Sequence, residues 1–264
     1  MSHRKKQLVR ILTVTDLHQS RCLYDQLQAE VHRHQPDLVA VIGDFLDLAD
    51  DQDLPMTKAE CARVLAGLSC PEVLLVRGNH ESGHWPLFVA SWPQFRSRRI
   101  LHAAAFALGP AVVVGFPCQL GDAFHYLEGG EAEQGPVEDW FPAIAKTYGS
   151  ASRFLWLMHE PPIDTGLSAQ TGALAGNSEW RQAIEQYAPQ VVVFGHDHHP
   201  SIRRSQWHTL VHQTHCVNVG QKLDGPLHYC VIEAEFPTPA PCLPWRTQLT
   251  AYPWEQSITI DRGR

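Results

Sequence analysis

At 264 residues, with 44% hydrophobic and 19% charged side chains, the chain is long enough to bury a substantial core. A single α/β domain over residues 1–264 is the simplest expectation. The formal net charge of −7 disfavours a general nucleic-acid binder, which needs a positive footprint, and no apolar run reaches the roughly 18 residues of a membrane span. The seven cysteines are scattered, odd in number and without a CxxC pair, and the polar start from Met1 to Gln7 does not read as a secretory leader. A reduced, cytoplasmic protein is expected.

Leu8 to Val14 alternates and is rich in β-branched residues, which predicts a first strand ending at Thr15-Asp16-Leu17-His18. Leu23, Leu27 and Val31 then recur at helical spacing from about Cys22 to His34, with a stop at Pro36. Asp37 to Ile42 predicts a second strand, ending at Gly43-Asp44-Phe45-Leu46-Asp47, and a helix follows near Thr57 to Leu68. Val73 to Val76 is a third short apolar run, ending at Arg77-Gly78-Asn79-His80-Glu81. Strand, loop and helix repeat, as in a sheet with crossover helices.

The middle is less regular. Residues 82 to 110 read as irregular, Ala111 to Phe116 as a strand, and Gly121 to Gly135 as an acidic, glycine-rich surface loop. Val137 to Tyr148 has helical spacing, and Arg153 to Met158 predicts a strand ending at His159-Glu160-Pro161-Pro162. Small and polar residues between Thr165 and Ser178 predict a mobile loop, with Ser178 capping a helix from Glu179 to Tyr187. Gln190 to Phe194 is a buried strand ending at Gly195-His196-Asp197-His198-His199. Thr209 to Val219 and Leu227 to Phe236 read as β. From about residue 237 the chain is Pro-rich but carries Leu243, Trp245, Leu249 and Trp254, a tail expected to pack on the body or on a partner, with a homodimer as one such arrangement.

Five strand ends thus carry candidate ligands: Asp16 and His18, Asp44, Asn79 and His80, His159, and His196 with His198. In an open sheet such ends converge on one rim. Carboxylates, imidazoles and an amide oxygen suit two borderline divalent ions. In Asp16-x-His18 and His196-x-His198, residues two apart in extended chain would point to the same side. Asp44, with two oxygens, can bridge the ions. Two ions about 3.5–4 Å apart can supply a bridging hydroxide and clamp a phosphoryl group for in-line attack.

These ordered motifs resemble the calcineurin-like metallophosphoesterase superfamily, over roughly residues 8 to 236. The resemblance implies a four-layer α/β/β/α sandwich. It also implies one ion held by Asp16, His18 and His198 and a second by Asn79, His159 and His196, with Asp44 shared. His80 matches the family histidine that contacts the phosphate and protonates the leaving oxygen, a role expected to be worth about 10²–10⁴-fold in rate. Asp47 would lie behind it, orienting His80 or a neighbouring ligand. The ligand types accept manganese, iron, zinc or nickel.

Arg77-Gly78-Asn79-His80-Glu81 is similar to the wording of Ser/Thr protein phosphatases and diadenosine tetraphosphatases. The Arg-Gly pair and the Gly-Gly pair those enzymes carry elsewhere are missing here. The His-x-Pro-Pro and Gly-His-x-His blocks instead resemble smaller prokaryotic phosphodiesterases. The expected function is hydrolysis of a small phosphodiester such as a nucleotide, with monoesters a further substrate class. The alternatives are a nuclease acting with partners and a non-catalytic protein-binding scaffold. Loops at residues 82–99, 119–136 and 163–178 would set selectivity. Arg77 either reaches a phosphate or pairs with a carboxylate, and Asn218 either supports the rim or sits in a turn. His84, His125 and the Arg96, Arg98, Arg99 group read as solvated, His199 as pointing away, and Cys118 as without a role.

Overall fold

A computed structural model describes residues 7–49, 51–81, 99–101, 104–116, 137–169, 175–237 and 242–262. Its central strands are apolar on both faces, and each face has its own partner. In β1 (Gln7–Val14), β2 (Leu38–Ile42) and β3 (Glu72–Val76), Ile11, Leu38, Ala40, Ile42, Leu74 and Val76 point into one cluster. Leu12, Val39, Val41, Val73 and Leu75 point the opposite way into another. The second cluster is closed by helices α1 (Arg21–His34) and α2 (Lys58–Ala66), whose Leu23, Leu27, Val31, Cys61 and Leu65 form the inward stripes.

A second sheet repeats the device. β6 (Ala111–Gly115), β7 (Leu155–Leu157) and β8 (Val191–Val193) send Val113, Leu155, Leu157, Val191 and Val193 toward the first sheet. Val112, Val114, Trp156 and Val192 face a third cluster, where Trp180 and Ile184 of the helix Ser178–Tyr187 and Phe141 of the helix Val137–Tyr148 pack. Numbered in chain order, these two helices are α3 (Val137–Tyr148) and α4 (Ser178–Tyr187). Three apolar layers between four structural layers give the expected α/β/β/α sandwich.

β4 (Arg99–Leu101), β5 (Ala104–Leu108), β9 (His208–Val211), β10 (Thr214–Val217), β11 (Tyr229–Phe236), β12 (Arg246–Tyr252) and β13 (Gln256–Asp261) complete the sheets. The first runs β13-β12-β11-β1-β2-β3-β4 and the second β5-β6-β7-β8-β10-β9. β1 through β4 are parallel, as are β6, β7, β8 and β10. No helix among the described residues is long and apolar enough to cross a membrane.

Several sequence expectations are corrected or sharpened. The stretch 82–110, read as irregular, contains β4 and β5, and β5 turns tightly into β6 at Gly109 (φ 56°). Thr209 to Val219 is an antiparallel hairpin, β9 and β10, with a left-handed residue at His212. The C-terminal tail adds two strands to the first sheet. Leu249 and Ala251 of β12 are fully buried, while Leu243, Trp254, Ile258 and Ile260 pack against the inter-sheet core, so its apolar residues are used within the chain. α4 is capped by the Asn177 side chain, which accepts from the Glu179 and Trp180 N–H groups, and Ser178 is the first helical residue. The described ends of the supposed mobile loop are anchored: Thr165, Leu167 and Ser168 are buried, and across it Ile163 N–H donates to Asn177 O and Asn177 N–H to Pro161 O. His84, Arg96, Arg98, Cys118 and His125 lie outside the described residues, as do most of the loops 82–99 and 119–136.

The position of β12 makes a stability prediction. Leu249→Ala should lower unfolding free energy by about 2–5 kcal/mol, whereas Leu210→Ser on exposed β9 should stay within about 0.5 kcal/mol. Urea unfolding of the two variants measures both.

Candidate metal centre

The carboxyl ends of β1, β2, β3, β7 and β8 open into loops that are bonded to one another. Gly43 N–H donates to Val76 O at 2.8 Å, Asp16 N–H to Gly43 O at 3.0 Å, and His18 N–H to Asp44 O at 2.8 Å. In the second sheet Gly195 N–H donates to His159 O at 3.0 Å. The two sheets are joined where His196 N–H reaches Asp16 Oδ1 at 3.2 Å. A Cβ at Gly43 would run into the His159 ring, and one at Gly195 into Thr15 and Asp16.

Strand alternation is not what pairs the candidate ligands. Asp16 (φ 55°), His18 (φ 42°), Asp44 (φ 49°) and His196 (φ 68°) all have left-handed backbone. The chain curls immediately after each strand and turns these side chains inward. Such a conformation costs of order 1–3 kcal/mol per residue, and it persists only where surrounding bonds enforce it.

Three groups of side chains converge, each with ligand atoms within 4.8 Å of one another: Asp16, His18 and His198; Asp44, His159 and His196; and His18, Asp47 and His80. Asn79 joins the second group, its Oδ1 lying 3.0 Å from His159 Nε2 and 2.9 Å from His196 Nδ1. Asp44 Oδ2 is 3.2 Å from His159 Nε2 and 3.8 Å from His80 Nε2. His198 Nε2 is 3.2 Å from Asp16 Oδ1. Asp47 reaches His18 Nδ1 at 3.4 Å and His80 Nδ1 at 3.5 Å. All nine residues singled out in the sequence as ligands or catalytic groups therefore meet in one place.

Second contacts fix the first. His159 Nδ1 lies 3.1 Å from Ile42 O, so it carries the proton and Nε2 faces the cluster. Thr15, fully buried, donates through Oγ1 to Asp16 Oδ2 at 2.6 Å. Asn218 is buried and its Nδ2 donates to Leu167 O, Gly195 O and Asp197 O, which ties down the His196 loop. Gln19 Oε1 accepts the Asp47 N–H at 2.9 Å.

The charges are strongly interdependent. Burial alone would raise Asp16, but His198, with smaller contributions from His159 and His18, holds its carboxyl well below the usual range. Asp44 is likewise lowered against its burial, mainly by His159. Burial opposes protonation of His159, yet Asp44 and Asp16 lift it to about 10. His198 is raised, against burial, by Asp16, whereas burial lowers His18. Paired carboxylates without bound cations thus draw protons onto neighbouring imidazoles.

Two other candidates differ in exposure. Arg77 is 2% exposed at the end of β3, away from open solvent. His199 is exposed and its ring lies 3.3 Å from Asp197 Oδ1, in keeping with the expectation that it points away. Thr15, Gln19 and Glu81 carry no role assigned from sequence. Glu81 stands inside the Gly78-Asn79-His80-Glu81 block, so its position is a signal, whereas nothing in the local sequence marks Thr15 or Gln19.

Solved structures share this fold at low identity. A protein of Thermus thermophilus is 16% identical, with a TM-score of 0.60 over 97% of this chain and 99% of that one. A dimetal phosphatase from Danio rerio is 13% identical, with a TM-score of 0.64 over 97% and 99%. A purple acid phosphatase from yellow lupin (Lupinus luteus) seeds is 12% identical, with a TM-score of 0.61 over 97% of this chain and 54% of that one. No curated protein sequence matches significantly. Residues 9–200 match the family profile described as calcineurin-like phosphoesterase. That span takes in every converging side chain, and the chain belongs to the calcineurin-like phosphoesterase family.

Proposed function

We propose that the protein hydrolyses a small phosphodiester with two divalent ions. Asp16, His18 and His198 would hold one, Asn79, His159 and His196 the other, and Asp44 would be shared. The observation that carries this reading is the pair of carboxylate–imidazole clusters whose ligand atoms lie within 4.8 Å of one another. The donor set fits such ions: it is oxygen and imidazole nitrogen with no thiolate, which suits manganese, iron, zinc or nickel. When bound, the ions supply an activated water for in-line attack and neutralise charge on the phosphoryl oxygens.

The chain's own groups do the rest. His80 has a side chain 24% exposed, against 9% for His18 and 1% for His159, and it faces Asp44. Asp47 stands 3.5 Å from His80 Nδ1 and orients the ring so that Nε2 is turned toward the reacting phosphate. His80 then gives its proton to the departing ester oxygen. The His159-Glu160-Pro161-Pro162 and Gly195-His196-Asp197-His198 blocks, which resemble those of smaller prokaryotic phosphodiesterases, support diesters over monoesters as the preferred class. The net charge of −7 supports a small substrate, with a nucleotide as the leading case, over a nucleic-acid polymer.

Metal-depleted protein reconstituted with each of the four ions should cleave linear or cyclic diesters at least tenfold faster than monoesters. Cleavage confined to monoesters would overturn the diester reading. His80→Ala should keep both ions by elemental analysis yet lose about 10²–10⁴-fold in kcat. Unchanged turnover would remove His80 from the reaction.

Metal uptake should also depend on pH. Without metal, Asp44 keeps His159 protonated up to about pH 10, and a cation at Nε2 requires that proton to leave. Affinity should therefore tighten as pH rises from 6.5 toward 10. Calorimetry in buffers of different ionisation enthalpy should show proton release on binding.

A further inference from the structure

The loops after β2 and β3 are tied by a buried side chain for which the proposed reaction has no use. Glu81 has no solvent exposure, and its carboxylate accepts three backbone N–H groups. Oε2 takes Gly78 N–H at 2.6 Å and Asp44 N–H at 2.9 Å, and Oε1 takes Leu46 N–H at 2.8 Å. The first bond closes Glu81's own turn, while the other two cross to the neighbouring loop. Asp44 returns the tie, because its Oδ1 accepts His80 N–H at 2.9 Å. The two loops thus exchange bonds in both directions, and Oδ2 of Asp44 is the oxygen left facing His159.

Asp44 needs such restraint. Its φ of 49°, directly after Gly43 at 73°, is a conformation that an L-residue rarely adopts unaided. The strained residue is also the one whose two oxygens must be assigned correctly, one to a backbone N–H and one to the centre. Glu81 settles that assignment by fixing Asp44 N–H on one side and the Gly78 turn that presents His80 N–H on the other.

We infer that Glu81 is a positioning residue of the metal centre, setting which oxygen of Asp44 the two ions would share. This rests on the two-ion reading above. Burial and the nearby Asp44 push the Glu81 carboxyl up to about 8, against the pull of the Leu46 and Gly78 N–H groups. In its ionised form it alone among side chains of this length offers two acceptors and no donor. A glutamine would keep one oxygen and turn an NH2 group onto N–H donors, leaving at least one buried N–H unmet. An aspartate is a methylene short of spanning both loops.

The test uses full-length, metal-depleted protein with manganese(II) alone as the probe. Wild type should bind two ions and give the paramagnetic resonance signal of a magnetically coupled pair. Glu81→Gln should bind the second ion about 10–100-fold more weakly and lose the coupled signal, while retaining first-ion uptake. A variant with lowered Tm but wild-type second-ion affinity and an intact coupled signal would overturn the positioning role and leave Glu81 as a fold element only. Wild type that binds no manganese would instead overturn the two-ion reading itself. Should Glu81→Gln fail to fold, Glu81→Asp is read by the same affinity and the same signal, with the same two outcomes.

Discussion

Asp44 and His159 meet across the two sheets, 3.2 Å apart and almost wholly out of water. One lies in the loop after β2 and the other follows β7, so their contact requires the two sheets to be packed together. A buried carboxylate without a partner is expensive, and a buried imidazole facing nothing but imidazoles would shed its proton. Together they lower Asp44 and raise His159, each against its own burial. The same logic repeats at Asp16 and His198, which join β1 to β8. The site is therefore a seam between sheets, and its charges are stable only in each other's company.

What makes the seam possible is a division of labour along each strand. The bodies of β2, β6, β7 and β8 are uniformly apolar and need only alternate to fill the layers above and below. The residues two to five positions beyond each strand carry the unusual backbone and the polar groups. Asp16, Asp44 and His196 accept left-handed conformations because backbone bonds between loops, and the carboxylate of Glu81, hold them there. The sandwich supplies rigidity and the loops absorb the strain, a common arrangement for a functional rim on an α/β scaffold.

Much of this is legible in the chain itself. Runs such as Leu38–Ile42 and Val191–Val193 are short, β-branched and apolar on both faces, which marks buried parallel strands, and the five ligand blocks follow from reading what comes after each run. Less visible are elements whose side chains are only half buried. β12 and β13 carry polar residues at alternate positions and lie beside Pro-rich sequence, so local pattern suggests a tail where β11 in fact supplies a pairing edge. β9 and β10 merge in the sequence because the turn between them is made by His212, with no glycine to announce it. Extended geometry predicts the convergence of Asp16 with His18 for the wrong reason, since the turn after β1 is what brings them together. Gln19 acts on the Asp47 N–H, distant until the chain folds, so its neighbours carry no trace of its role, and Thr15 meets the adjacent Asp16 carboxylate only through the turn after β1.

The proposed function turns on two ions sharing Asp44. The most direct measurement is an anomalous difference map from crystals of manganese-loaded protein. Two peaks about 3.5–4 Å apart are expected, one against Asp16, His18 and His198, the other against Asn79, His159 and His196, with Asp44 between them. A single peak, or two peaks that do not flank Asp44, would contradict it.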